Sequence, residues 1–216
     1  MKILIVGSAG SFSEAQNRLE STCDLEHVFD FFDCADPALY DFIFDFTLDE
    51  NPELVEHYSK LKDTVVFLNT VKISLAELQF TYGKWENSIY GFNGLATFFD
   101  RDILEVSSID GNVNEEQLTQ LNFQYEVVDD RVGMVTPRVI LMIINEAFYT
   151  VMEGTASRKD IDQGMKLGTN YPFGPFEWCE KIGITQVYET LEAIYEDTKE
   201  ERYKIAPLLK QEYLKS

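Results

Sequence analysis

The chain has 216 residues, 45% hydrophobic and 13% aromatic, which is enough for a sizeable core in one or two domains. Its formal net charge of −20 and its sequence pI of about 4.3 argue against binding to nucleic acid or to anionic membranes. No apolar run is long enough to span a membrane, and Ile3 to Val6 is too short for a signal peptide. We expect a cytoplasmic protein.

Cysteine and histidine give no sign of a metal site. The three cysteines, Cys23, Cys34 and Cys179, have no metal-like spacing and are predicted to be reduced thiols. His27 and His57 lie near acidic residues in ordinary surroundings, and we interpret both as structural or surface histidines.

Seven apolar segments recur along the first 130 residues. The first, KILIV, precedes the turn GSAG and a polar helical stretch, a pattern that opens a nucleotide-binding βαβ unit. Strands are predicted at 2–6, 26–32, 40–48, 63–70, 87–92, 103–109 and 123–129. Helices are predicted at 12–21, 52–61, 75–81 and 114–121. This alternation favours a mostly parallel sheet covered on both faces.

The remaining residues have a helical pattern. A long apolar helix is predicted from Thr136, with Pro137 in its first turn, to a stop at Gly154. A second helix is predicted to begin after an N-cap at Ser157 and to stop at Gly168. Two more are predicted at 185–198 and 200–214.

Residues 132–184 carry a dense set of motifs, VGMVTPRVILMIINEAFYTVMEGTASRKDIDQGMKLGTNYPFGPFEWCEKIGI. This text resembles the C-terminal domain of the 3-hydroxyacyl-CoA dehydrogenases, including 3-hydroxybutyryl-CoA dehydrogenase. The resemblance implies a shortened Rossmann-like domain at 1–130 and a helical dimerisation domain at 131–216. The chain is identified as a shortened and divergent member of that family. We interpret the YPFGPFEW segment as a packing corner of the helical domain.

The resemblance also implies a chemistry. Members of the family oxidise a 3-hydroxyacyl-CoA with NAD, using a His as general base and a Glu that orients it. Here the Glu corresponds to Glu105, whereas the base corresponds to Asn93, a carboxamide that cannot act as a base at neutral pH. Asn69 matches the asparagine of the strand-end motif, but the two serines of that motif are replaced by Val71 and Lys72.

The cofactor turn departs from the family pattern in a similar way. The three glycine positions read Gly7, Ala9 and Phe12, with an additional Gly10. Asp30 is placed to bind the ribose hydroxyls of NAD, although an acidic strand end without a ligand would give the same sequence. The stretch after Asp30 is shorter than in the family, so the adenine and coenzyme A sites are expected to be reduced.

Three readings follow from these residues. The first is a divergent NAD-dependent enzyme acting on acyl-CoA, in which Tyr90 or a water held by Glu105 replaces the base. The second is a pseudoenzyme that binds a ligand without hydride transfer. The third is a dimeric interaction module, since the apolar helix that begins at Thr136 needs a covering surface. Lost or much reduced activity is the favoured prediction.

Overall fold

The computed structural model of the protein describes residues 1–19 and 23–216. The chain divides into two compact units, Met1–Met134 and Val135–Ser216. Within the described ranges, none of the helices has the length and apolar character that crossing a membrane requires. Cys23, Cys34 and Cys179 are free thiols.

The first unit is built on a seven-stranded sheet with the order β2-β1-β3-β4-β5-β6-β7. All neighbouring strands are parallel except β5 and β6, which confirms the predicted mostly parallel sheet. The central strands are buried along their whole length, as expected when both faces are covered. The strands are β1 Lys2–Val6, β2 Asp24–Val28, β3 Phe42–Asp45, β4 Val65–Asn69, β5 Ile89–Phe92, β6 Ile103–Ser107 and β7 Gln124–Val128.

Four helices of this unit lie on the two faces of the sheet. They are α1 Ala9–Arg18, α2 Val55–Tyr58, α3 Leu75–Tyr82 and α4 Glu115–Gln120. Ala15 of α1 and Leu118 of α4 belong to one layer of buried side chains, whereas Tyr58 of α2 and Leu75 of α3 belong to the other. The helices therefore cover both faces, as predicted from the sequence.

Most strands of the first unit are shorter than predicted, and three further differences involve a helix or a turn. Helix α1 starts at Ala9 instead of residue 12, because the Ser8 side chain caps it by accepting the N–H of Ser11. The second strand ends at Val28, and Asp30 caps a 3₁₀ turn where strand was predicted. The predicted helix 52–61 is a 3₁₀ turn followed by the four-residue α2. Residues 20 and 21, the predicted end of the first helix, lie outside the described residues.

The second unit is helical, which confirms the predicted all-α C-terminal part. Its helices are α5 Thr136–Met152, α6 Arg158–Thr169, α7 Pro175–Ile182, α8 Ile184–Thr198 and α9 Pro207–Tyr213. The predicted cap is present, since the Ser157 side chain accepts the N–H of Asp160. The predicted stop at Gly168 is wrong, because α6 continues to Thr169 and Asn170 takes the left-handed position. The predicted helix 200–214 is divided into a 3₁₀ turn and α9.

The aromatic segment at 171–178 forms a corner between α6 and α7. The buried ring of Trp178 packs edge-on against Tyr171 and Phe173. A β-carbon at Gly174 would overlap the backbone of Asp162, so the two helices approach each other more closely than any other residue would permit.

One buried amide fixes the chain between α8 and α9. Asn145 of α5 is 2% exposed, its Nδ2 donates to the Lys204 carbonyl at 2.9 Å, and its Oδ1 accepts the Ala206 N–H at 2.8 Å. The segment before α9 is thereby held against α5, which explains why the predicted helix 200–214 is interrupted there.

We predict that Asn145→Ala lowers the free energy of unfolding by about 1–3 kcal/mol, because the buried N–H of Ala206 loses its acceptor and the Lys204 carbonyl loses a donor. Urea denaturation followed by circular dichroism measures this difference. Thr150→Ala, on the same helix, is the control and should change stability by no more than about 0.5 kcal/mol. Equal stabilities of the Asn145 variant and the unaltered protein would contradict the assigned role.

Candidate functional site

The carboxyl ends of the parallel strands bring most of the predicted site residues to one edge of the sheet. Ligands of open α/β sheets bind at this edge, because the loops that leave the strands converge there. The turn after β1, the end of β2, and the residues that follow β4 and β5 all lie on it.

The turn between β1 and α1 depends on Gly7. Its φ is +152°, its N–H donates to the Val28 carbonyl at 3.0 Å, and its carbonyl accepts from Nε2 of His27 at 2.9 Å. A β-carbon at this position would lie 3.0 Å from Cβ of Phe46, so a larger residue would be crowded as well as strained by the positive φ. Ala9 and Gly10 follow at the exposed start of α1. The turn is therefore open where a pyrophosphate would approach a helix N-terminus.

The third glycine position of the pattern holds a packed aromatic side chain. The ring of Phe12 stacks on His27 with a centroid distance of 4.8 Å and an angle of 13°. His27 in turn contacts the exposed Phe29 edge-on. An aromatic pair thus separates α1 from β2, where the dinucleotide pattern uses glycine for close helix–strand contact.

Asp30 lies two residues beyond the end of β2 and is exposed. One of its oxygens, Oδ1, accepts the N–H of Phe32 at 2.9 Å and caps the 3₁₀ turn. The side chain is at the edge where an acidic residue binds ribose hydroxyls in dinucleotide folds, and one oxygen is engaged locally. Its position therefore agrees with both interpretations of the sequence, the ribose ligand and the local cap.

Asn69 connects the ends of three strands. It is 3% exposed at the end of β4, its Nδ2 donates to the Phe46 carbonyl at 3.2 Å, and its Oδ1 accepts the N–H of Gly94 at 3.0 Å. A β-carbon at Gly94 would lie 2.7 Å from Cγ of Asn69. The amide therefore has both a donor and an acceptor bonded to backbone.

The two predicted catalytic positions are brought together by the antiparallel pairing of β5 and β6. Phe92 pairs with Val106, so Asn93 and Glu105 are the next residues on either side. Asn93 is 2% exposed and its Oδ1 accepts the N–H of Leu95 at 3.2 Å. Glu105 is half-buried, and its charge acts on the guanidinium of Arg101. The strand register therefore makes the backbones of these two positions neighbours at the end of the β5–β6 pairing.

The side chain of Lys72, three residues beyond the end of β4, is nearly closed off from solvent. It is 9% exposed, and its Nζ lies 3.7 Å from Asp49 and 3.9 Å from Glu50. Because the Asp49 side chain is only 1% exposed, replacing Lys72 by a neutral residue would remove a positive charge that faces a buried carboxylate. Lys72 therefore holds the β3 and β4 ends together electrostatically.

The sequence did not reveal the buried acid at the end of β3. Asp45 is fully buried and accepts from Thr47 N at 2.7 Å, Thr47 Oγ1 at 2.7 Å and Tyr58 Oη at 2.8 Å. Burial raises the pKa of Asp45 above its ordinary value, although the hydrogen bonds from Thr47 and Tyr58 act in the opposite direction. The only sequence signal was an acidic residue inside an apolar strand.

The residues at the turn fit the phosphate and ribose of a dinucleotide in type and position. Gly7 makes the turn, the space around Gly10 is open apart from the Ser8 hydroxyl at 3.4 Å, and Asp30 ends the neighbouring strand. These are the groups that a pyrophosphate and a ribose need at the switch point of such a sheet.

The fold is similar to those of several solved structures. The structure resembles M. tuberculosis FadB2 with a TM-score of 0.73 and 16% identity, covering 97% of this chain and 92% of that one. It also resembles (S)-3-hydroxybutyryl-CoA dehydrogenase PaaH1 from Ralstonia eutropha, with a TM-score of 0.68, 18% identity and the same coverages. At these identities the likeness concerns the fold.

A family match lies in the sequence of the second unit. Residues 133–215 match the family described as "3-hydroxyacyl-CoA dehydrogenase, C-terminal domain", which confirms the predicted resemblance for this part of the chain. The chain is 41% identical over 87 residues to 3-hydroxyadipyl-CoA dehydrogenase of Escherichia coli (strain K12), covering 40% of this chain. It is 33% identical over 96 residues, 44% of this chain, to 3-hydroxybutyryl-CoA dehydrogenase of Bradyrhizobium diazoefficiens. The matched segments span only 18% and 33% of those two relatives.

The pH dependence of stability tests how burial affects the protonation of Asp45. Its folded-state pKa is raised above the ordinary 3.8, so the folded state binds the proton more tightly than the unfolded chain. The free energy of unfolding should therefore rise as pH falls towards 3.8, relative to an Asp45→Asn variant that cannot titrate. Each unit of elevation corresponds to about 1.4 kcal/mol.

Urea denaturation of both proteins at a series of pH values between neutral and acidic conditions measures the difference. In a Tyr58→Phe background, the Asp45 carboxylate loses a hydrogen-bond donor, so its pKa rises further. The increase in the free energy of unfolding should therefore begin at a higher pH. A stability difference that shrinks on acidification would show that Asp45 is stabilised as a carboxylate.

Proposed function

We propose that the chain is a 3-hydroxyacyl-CoA dehydrogenase-like protein that has lost most or all of its hydride-transfer activity. In this proposal, the carboxyl edge of its sheet can still bind a dinucleotide. The proposal rests on one observation, the burial and hydrogen bonding of Asn93. It occupies the position of the base, is 2% exposed, and uses its carboxamide oxygen to accept the N–H of Leu95. A carboxamide has no pKa in the working range, and loss of a general base lowers rates by about 10²–10⁴-fold.

Neighbouring substitutions support the same reading. Val71 and Lys72 stand where the resemblance places serines that hydrogen-bond the substrate oxygen, and the ammonium of Lys72 is paired with Asp49. Asn69 has both ends of its amide bonded to backbone. Of the groups that the resemblance assigns to the chemistry, Asn69 and Glu105 keep their residue type.

NAD is the cofactor that the family implies. The turn from Gly7 through Ala9 to Gly10 would receive its pyrophosphate, Asp30 its ribose, and Asn69 would lie at the nicotinamide end of the edge. When bound, NAD supplies a hydride acceptor. The named relatives act on 3-hydroxyacyl-CoA substrates, and by analogy an acyl-CoA of fatty-acid or butanoate metabolism is the ligand class proposed here. The protein is proposed to act in the cytoplasm.

We predict that purified protein oxidises NADH with acetoacetyl-CoA at a rate at or near background, and that Asn93→His raises kcat by about 10²-fold because it restores an imidazole beside Glu105. Absorbance at the NADH band measures both rates. The double variant with Glu105→Gln should lose most of the gain, since the imidazole is no longer oriented. Turnover by the unaltered protein that falls in Glu105→Gln alone would contradict the proposal and favour an active enzyme that uses Tyr90 or a water.

A second candidate function is supported by an apolar groove on the helical unit. It has a volume of about 610 Å³, and its lining includes Val139, Met142 and Ile143 of α5, with Met165 of α6. Val139 is 53% exposed, and Met142 and Ile143 beside it are only half-buried, so the groove presents a continuous apolar surface. We propose that a second copy of the chain covers this groove, giving a homodimer that serves as an interaction module.

Val139→Glu is expected to convert the dimer into a monomer, because it places a charge in the centre of an apolar contact. Light scattering after gel filtration measures the mass. Leu167→Glu is the matched control: Leu167 is 79% exposed on α6 and does not line the groove, so this variant should remain dimeric. A monomeric unaltered protein would reject the interface.

A further inference from the structure

The loop between β5 and β6, residues 94–102, is held against α1 by the Glu14 carboxylate. Oε1 of Glu14 accepts the N–H of Thr97 at 2.7 Å, and Oε2 accepts the N–H of Phe99 at 3.2 Å. Thr97 has a φ of +75°, which β-branched residues rarely adopt. Such a conformation persists only where surrounding contacts impose it, and these two hydrogen bonds do so.

Arg18, one helical turn further along α1, binds the same loop from its other end. Its guanidinium donates to the Phe99 carbonyl at 3.0 Å and to the Arg101 carbonyl, and also to the carbonyl of Gln124 at 2.8 Å at the start of β7. It also lies 4.9 Å from the Phe123 ring centroid. Glu14 therefore binds N–H groups of the loop, and Arg18 binds its carbonyls.

Both ends of this loop belong to the candidate site. Asn93 immediately precedes the loop, and Glu105 follows it in β6. Helix α1, which carries Glu14 and Arg18, begins directly after the Gly7 turn. One rigid element therefore contacts the proposed nucleotide turn at its N-terminus and the Asn93 loop along its side.

We infer that Glu14 and Arg18 are positioning residues that set the Asn93–Glu105 pair relative to the nucleotide turn. The inference rests on the proposed function for the meaning of that pair, whereas the contact between helix and loop is independent of it. Burial raises the pKa of Glu14, and the backbone N–H donors of the loop act in the opposite direction. The carboxylate is thus held in a half-buried position by the loop that it organises.

Hydrogen–deuterium exchange on the full chain tests the positioning directly. In Glu14→Ala, the amides of Thr97, Phe99 and Leu95 should exchange about tenfold or more faster, while those of β1 and β3 stay unchanged. Glu14→Gln keeps one acceptor and should release fewer amides. Gln16→Ala, at an exposed position of the same helix, is the control. Unchanged exchange over 95–102, or an equal increase in every strand, would overturn the inference.

Kinetics in the Asn93→His background separate positioning from general stability. Adding Glu14→Gln should lower kcat about tenfold and leave KM for acetoacetyl-CoA within about twofold. The loosened loop would shift the side chain at position 93 relative to Glu105, whereas the substrate-binding residues would stay in place. An unchanged kcat would overturn the positioning role. If Asn93→His itself shows no turnover, the proposed function fails. The exchange experiment, with Arg18→Ala measured beside Glu14→Ala, then decides whether the two residues position the loop.

Discussion

The side-chain amide of Asn69 joins three strand ends at the carboxyl edge of the sheet, and the geometry of the candidate site depends on it. One end of the amide is bonded to the carbonyl of Phe46 after β3, and the other to the N–H of Gly94 after β5. Gly94 has to be glycine, because any β-carbon would overlap the amide. A fold can therefore require this asparagine for packing alone, whether or not the edge performs chemistry.

Local hydrogen bonds and ion pairs also explain how the carboxyl edge of the sheet stays ordered with an asparagine at position 93. Asn93 caps its own loop, Lys72 neutralises Asp49, and Asp45 is satisfied by Thr47 and Tyr58. These polar groups are all used to hold strand ends and loops in place, so the edge stays ordered without a ligand. What the fold does not need is an imidazole at position 93.

The sequence was sufficient for the sheet, the two-part organisation and most helices, because these depend on local periodicity and caps. It was less reliable where a side chain decides the backbone: Asp30 ends the second strand by capping a turn, and Asn145 interrupts the last predicted helix. It could not reveal Asp45 with Tyr58, or Glu14 with Thr97 and Phe99, because those partners are distant in sequence. The spacing of Glu14 and Arg18 on one face of α1 was the only available signal.

The most direct test of the account is a fluorescence titration of the unaltered protein with NADH, followed by addition of acetoacetyl-CoA to the same sample. The account predicts saturable binding at micromolar NADH, because the Gly7 turn and Asp30 bind the cofactor. It predicts no consumption of NADH above background, because the Asn93 carboxamide cannot deliver to the substrate oxygen the proton that an imidazolium would deliver. The absence of binding at millimolar NADH, or rapid loss of NADH after the acyl-CoA is added, would contradict it.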